Sequence, residues 1–334
     1  MQTPIFLLLD SRQFGGIESH VLELAKGLRN HNYPVQVVLL QDYGTPHPLE
    51  QTLKQHFIHC HKLKNPLSDL ISLIARYKPC LLHTHGYKAG IIGRVLGALY
   101  RVSVVSSFHA GEKPKGKLAI YDFIDRYSAC LAKQRIAVSP IIAARLPFSS
   151  HVINNFLSQS KQPLSQGKQL AFVGRLSHEK GADRILELAR QLPTQTFHLY
   201  GDGPERAALE ATASANVQFH GQQDMSNIWP NVGLLLMPSR YEGLPMAAVE
   251  AMSYGIPTIA FNVGALDKLI QHQRNGYLIP ANDLAAFKQC LNQHLSQADN
   301  QAMQLTAQQA VQQHFSATAV LPQLLKLYQT ALSH

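Results

Sequence analysis

Glu242 and Glu250 lie eight positions apart and bracket the string Gly243-Leu244-Pro245-Met246. Carboxylates accept hydrogen bonds from vicinal diols, the group that a ribose or a hexose presents. Pro245 suits the first turn of a helix, where N–H groups around Gly243, Leu244 and Met246 have no intrahelical partner and suit an anion or a hydroxyl. Upstream, Arg175 and Lys180 sit five apart in Val173-Gly174-Arg175-Leu176-Ser177-His178-Glu179-Lys180-Gly181. Two fixed cations at a strand-to-helix junction form a receptor for a diphosphate. Acid, paired cations and second acid together match a sugar joined through a diphosphate to a ribose. A capping acid and an exposed helical Glu would explain each carboxylate singly, but not their spacing together with Arg175 and Lys180.

Other strings carry less. Gly15 and Gly16, in Asp10-Ser11-Arg12-Gln13-Phe14-Gly15-Gly16-Ile17-Glu18, let backbone approach a ligand. A simple turn explains them equally, and no G-x-G-x-x-G dinucleotide motif occurs. Tyr200-Gly201-Asp202-Gly203-Pro204-Glu205 reads mainly as a tight bend, with Pro204 in the first turn of a helix. His59-Cys60-His61 and His83-Thr84-His85 each put two imidazoles on one side of a strand, but no third ligand is evident and no metal is expected.

The elements that must position these residues alternate in type. Strands are expected at 5–9, 35–40, 81–83 and 102–106, with helices at 17–28, 66–77 and 88–99. The rhythm fades through the polar stretch 158–167, the linker candidate, and restarts. Strands follow at 169–173, 197–200, 217–220, 232–237 and 257–261, and helices at 180–192, 204–213 and 245–254. A last amphipathic helix, 317–332, carries Leu321, Leu324, Leu325, Tyr328 and Leu332 on one face. The βα alternation gives an α/β fold of two tandem doubly wound, Rossmann-like domains with an interdomain cleft.

Composition narrows the class. The 334 residues are 46% hydrophobic and 15% charged, enough for a proper core. No run reaches the roughly 18 apolar residues of a membrane span, and MQTPIFLLLD does not read as a signal peptide. Four scattered cysteines suggest neither disulfides nor zinc and fit a reducing cytoplasm. Residues 1–165 hold 19 Lys+Arg against 9 Asp+Glu, and residues 166–334 hold 11 against 12, so the whole net charge of +9 comes from the first half. Lys113, Lys115 and Lys117 cluster just after His109. Such a surface fits an anionic membrane face or an anionic soluble acceptor. Nucleic acid is not expected, because no interleaved aromatic and basic motif accompanies the charge.

The strings GGIE (15–18), VGRLSHEKG (173–181), YGDGPERAALE (200–210) and EGLPMAAVEAM (242–252) together resemble a family 4 glycosyltransferase of GT-B architecture. The resemblance runs along nearly the whole chain. It implies an acceptor-side domain, 1–160, onto which 317–334 packs back, and a nucleotide-sugar domain, 161–316. It implies Arg175 and Lys180 on the donor diphosphate, Glu250 on the ribose and Glu242 beside the reacting sugar. Gly243 to Met246 would supply backbone contacts, Gly15-Gly16 would face the phosphates, and His109 would touch the donor sugar or the acceptor. One departure is Phe156, in Val152-Ile153-Asn154-Asn155-Phe156, where many members have Gly.

The implied reaction is retaining transfer of a hexose or N-acetylhexosamine from a nucleoside-diphosphate sugar, UDP favoured, with no cofactor or metal. The acceptor would be a glycan or lipid-linked precursor of surface polysaccharide, at the inner face of the cell membrane. The absence of a D-x-D pair agrees with the metal expectation. A nucleotide-sugar 2-epimerase is the alternative of like architecture, and the two acids at this spacing argue against it.

Overall fold

The computed structural model describes residues 3–12, 14–109, 116–297 and 300–333. The first elements are β1 (Ile5–Leu9), α1 (Gly16–Asn30), β2 (Val35–Leu39), α2 (Pro48–Gln55), β3 (His59–Lys62) and α3 (Pro66–Tyr77). Next come β4 (Leu81–His85), α4 (Tyr87–Tyr100), β5 (Ser103–Phe108), α5 (Lys117–Ser128), β6 (Gln134–Ala137), α6 (Pro140–Ala143) and β7 (His151–Val152). The chain continues through β8 (Gln169–Val173), α7 (Ala182–Gln191), β9 (Phe197–Tyr200), α8 (Arg206–Thr212), β10 (Val217–Gly221), β11 (Val232–Met237) and α9 (Met246–Ser253). It closes with β12 (Thr258–Phe261), β13 (Gly276–Ile279), α10 (Leu284–Ser296), α11 (Gln301–His314) and α12 (Ala317–Leu332).

Two compact units result, residues 1–158 with 317–334 and residues 159–316. The break lies two residues before the 160/161 boundary expected from sequence. Unit 1 holds a parallel sheet of order β3-β2-β1-β4-β5-β6-β7, and unit 2 one of order β10-β9-β8-β11-β12-β13. The strand order reverses between β1 and β4 in the first sheet and between β8 and β11 in the second. These switch points are where an open parallel sheet receives ligands, beyond the carboxyl ends of its strands.

Both sheets are covered on two faces, so β1 and β11 beside the switch points are nearly continuous apolar runs, whereas β4 carries His83, Thr84 and His85. Ile5 to Leu9 are all buried, and β1 pairs in register with β2 and β4. Val21, Leu24, Ala25 and Leu28 of α1 pack in the same core as Leu321, Leu324 and Tyr328 of α12. Leu332, expected on that apolar face, is 48% exposed, because the helix runs past the edge of its cover and Leu327 and Ala331 face inward instead. Phe156 also belongs to this core. Its ring lies 3.1 Å from where a β-carbon on Gly27 would sit, so the departure at 156 fills a gap beside α1.

The stretch 158–167 is not a free tether. Gln162 N–H donates to Ser253 O and Ser165 N–H to Tyr254 O, while the Ser165 hydroxyl donates to Val232 O at 2.6 Å. The backbone N–H groups of Gln162 and Ser165 and the Ser165 hydroxyl thus satisfy backbone carbonyls of unit 2, while Gln159, Lys161 and Gln166 stay exposed.

Burial also gives unit 2 an acid sensitivity. His294 of α10 is buried, packed edge-on against Tyr277, and burial lowers its pKa to about 4. The same cause lowers His198 and His220. Imidazole binds protons near 6.5 in the unfolded chain, so His294 costs no stability above that pH and up to about 3 kcal/mol as pH falls toward 4. In denaturant titrations from pH 7.5 to 4.5, His294→Leu is expected to flatten the acid side of the unit 2 transition. A slope equal to wild type would remove His294 from the account.

Candidate active site

In unit 2, β8 and β11 end side by side and their loops are stitched together. Arg240 N–H donates to Glu179 O at 2.8 Å, and its guanidinium clasps Asp183 at 2.6 Å and His178 O at 2.8 Å. Gly181 follows the 178–180 turn at φ +70°, and a β-carbon there would stand 2.3 Å from Pro238 O. Only glycine allows that approach of the two loops. The result delivers Lys180 to Glu242: Nζ lies 2.8 Å and 2.7 Å from the two carboxylate oxygens. The Ser239 hydroxyl donates to Glu242 Oε1 at 2.7 Å. The Glu242 side chain is 4% exposed and that of Lys180 29%.

Arg175, just past β8, is exposed; burial would raise the pKa of Glu179, but hydrogen bonds from Ser177 and from its own backbone, with the charges of Arg175 and Lys180, lower it. Glu250 sits on α9, half-buried. Pro245 is the N-cap of α9 (φ −72°, ψ 124°), one position before the first-turn place expected, and Met246 opens the helix. Pro204 likewise precedes α8, whose cap is Glu205. The 201–205 bend lies against the 174–176 backbone through Leu176 N–H to Asp202 O and Glu205 N–H to Leu176 O, each 3.0 Å. It braces the arginine loop. Gln222 and Gln223 are exposed just past the edge strand β10.

In unit 1, Gly15 caps α1 in extended backbone and Gly16 opens the helix. Among the described residues no atom lies within 4 Å of a β-carbon built on Gly16, so their packing does not demand glycine there. His109 follows β5, and its Nε2 shares a 3.1 Å hydrogen bond with His85 Nδ1. Burial holds its pKa well below the usual imidazole range, with His20 and His83 adding to the effect. Beside it opens a cavity of about 400 Å³ lined by Lys88, Tyr121, Asp122, Arg126, Arg145 and His109, among others. Two arginines share Asp122 there, Arg126 at 2.8 Å and Arg145 at 3.4 Å.

A family model described as Glycosyltransferase Family 4 matches residues 14–152, and one described as Glycosyl transferases group 1 matches residues 167–297, together well over half of the chain. This chain is a family 4 glycosyltransferase. The Escherichia coli UDP-Gal:alpha-D-GlcNAc-diphosphoundecaprenol alpha-1,3-galactosyltransferase is 23% identical over 81% of this chain and 82% of its own. A Haemophilus influenzae protein described as an uncharacterized glycosyltransferase is 31% identical, over 39% of this chain and 40% of its own. The Anabaena protein HepE, solved in complex with UDP-glucose, superposes with TM-score 0.85 at 20% identity, covering 98% of this chain and 100% of that one. The two Rossmann-like units are those of the GT-B fold.

The glycosyltransferase brings Lys180 and Glu242 into direct contact and sets Arg175 and Glu250 on the flanking elements, while Gly15, Gly16 and His109 belong to unit 1. Gln13, Ala110, Gly111, Lys113 and Lys115 lie outside the described residues, as does the side chain of Lys117. Four positioning residues escaped the sequence reading. Ser239 and the Arg240–Asp183 clasp are polar groups in a loop, with no spacing to mark them. Gly264 (φ +69°) lies under the 242–243 backbone, where a β-carbon would meet Glu242 O at 2.3 Å. Each histidine pair does share one side of its strand, with ring centroids 4.2 Å apart for His83 and His85 and 4.3 Å for His59 and His61. His83 points its nitrogens at Tyr328 (2.6 Å) and Ser107 (2.8 Å), whereas His85 faces His109 and His20.

Proposed function

We propose that this glycosyltransferase moves a hexose or N-acetylhexosamine from a UDP-sugar to a lipid-linked glycan acceptor of surface polysaccharide, with retention. The observation that carries the donor half is the Lys180–Glu242 contact at the β8/β11 switch point, with Arg175 exposed beside it. Cleavage of the anomeric C–O bond puts charge on the departing diphosphate, which Arg175 and Lys180 neutralise without a divalent metal. Glu242 and backbone of 243–246 hold the sugar, Glu250 holds the ribose, and Gly15-Gly16 approach the phosphates. His109, neutral at physiological pH, contacts the sugar or acceptor by hydrogen bonding. Retention follows from front-face attack assisted by the leaving phosphate. The names of HepE's ligand and the E. coli enzyme's donor support UDP.

The acceptor half rests on α5, which is built inside out. Its acids Asp122 and Asp125 are buried, while Leu118, Ile120, Phe123 and Tyr127 are 50–62% exposed. An apolar, aromatic-rich face at the rim of a cavity holding two arginines suits an anionic bilayer and a phosphate-bearing lipid carrier. Among the described residues no helix is long and apolar enough to cross a membrane. The basic excess of the first 165 residues supports attachment to an anionic surface. Ile120→Ser with Phe123→Ser is expected to reduce co-sedimentation with phosphatidylglycerol vesicles about tenfold, with an unchanged melting temperature. Equal partitioning of variant and wild type would refute the membrane face.

The donor reading is tested by thermal shift against UDP-, GDP- and ADP-sugars, for wild type and Arg175→Ala. Donor at about 100 times its Kd stabilises by roughly 2.7 kcal/mol. A shift confined to UDP-sugars and lost in the variant supports the assignment, and a wild-type shift retained by Arg175→Ala overturns it.

A further inference from the structure

We infer that His20, His85 and His109 form a three-histidine site for one divalent transition-metal ion of the zinc type. The three come from separate elements of unit 1: the second turn of α1, the last residue of β4 and the residue after β5. Each offers one ring nitrogen, and these nitrogens lie within 4.8 Å of one another. The ring centroids are 4.9 Å apart for His20 and His109 and 5.4 Å for the other two pairs. Zinc binds imidazole nitrogen at about 2.0–2.1 Å in a tetrahedron, which separates two such nitrogens by roughly 3.4 Å. His85 Nδ1 and His109 Nε2, at 3.1 Å, are already near that separation. His20 has to close in by on the order of 1 Å.

A satisfied histidine network is the competing account, and the hydrogen bonding speaks against it. Among the described residues His20 Nδ1 is buried without a partner, although buried ring nitrogens in folded proteins are mostly engaged. His83, in ring contact with His85, shows the contrast: both its nitrogens are engaged, by Tyr328 and Ser107. Burial keeps His20, His85 and His109 in the neutral form that a metal requires. His109 also lines the 400 Å³ cavity. No residue of unit 2 takes part, and His109 is shared with the sugar or acceptor contact proposed above.

The test uses the full chain, stripped with chelator and titrated with zinc chloride alone by calorimetry. One equivalent per chain is expected, with affinity lowered at least tenfold in His20→Gln and in His85→Gln and unchanged in His272→Gln, an exposed histidine of unit 2. Should either variant fail to fold, cobalt substituted into the wild type decides. Intense visible absorption of tetrahedral cobalt at one equivalent supports the site. Absence of that band, absence of stoichiometric zinc binding, or zinc binding unaltered in both folded variants overturns it.

Discussion

Lys180→Ala is expected to lower kcat about 100- to 1000-fold, the usual consequence of removing one preorganised charge from a developing oxyanion. The geometry adds a second effect. Glu242 is nearly buried and depends on Lys180 and Ser239 for its partners, so removing the lysine strands a carboxylate in a poorly solvated place. Lys180→Ala should therefore also melt at lower temperature than wild type. Lys180→Ala combined with Glu242→Ala should recover most of that thermal loss and none of the rate. Single-turnover measurements with saturating donor, set beside calorimetric melts, separate the two effects. Recovery of rate in the double variant would show that the lysine serves only to hold Glu242.

The largest stability effect is expected at Arg94 and Asp125. Arg94 of α4 is fully buried, and its guanidinium reaches Asp125 Oδ1 at 2.6 Å, Asp125 O at 2.8 Å, Ser128 Oγ at 2.9 Å and Ser106 Oγ at 3.0 Å. The Asp125 side chain is 5% exposed. Asp125→Ala leaves a guanidinium in the core without its counter-charge, a change that costs about 3–5 kcal/mol. Replacing both, as Arg94→Met with Asp125→Leu, removes the unpaired charge and is expected to return stability to within about 1–2 kcal/mol of wild type. Urea titrations of the single and double variants decide. An Asp125→Ala loss under 1 kcal/mol would mean that water or the serines suffice for Arg94.

This pair also explains where the sequence was hard to read. Periodicity located β1, β8, β9 and β11 to the residue, because a central parallel strand is apolar throughout and bounded by turn residues. The edge strands β3 and β7 are short and polar, with His59, Lys62 and His151 in them, and no apolar run marks them. Helix α5 carries a helical period whose apolar side is the exposed one, so pattern alone could not say what it buries. The donor motifs were legible because each lies in one continuous string. The Ser239 and Arg240 contacts, and the meeting of His20 with His85 and His109, join distant segments and exist only once the sheet is assembled.

Unit 1 is written in two pieces of sequence. Ser103 Oγ donates to Ala331 O at 2.8 Å, and Tyr328 meets His83, so α12, which follows unit 2 in sequence, covers β4 and β5 of unit 1. During synthesis the first 158 residues emerge long before that cover exists. Residues 159–316 form an uninterrupted segment and have all their own contacts available first, since domains fold as units during translation. The nascent chain therefore carries an incomplete first unit, with the apolar bed that receives Leu321, Leu324 and Tyr328 bare, until residues 317–332 emerge. That interval is when a holdase chaperone would matter most, and deletion of α12 would prolong it indefinitely.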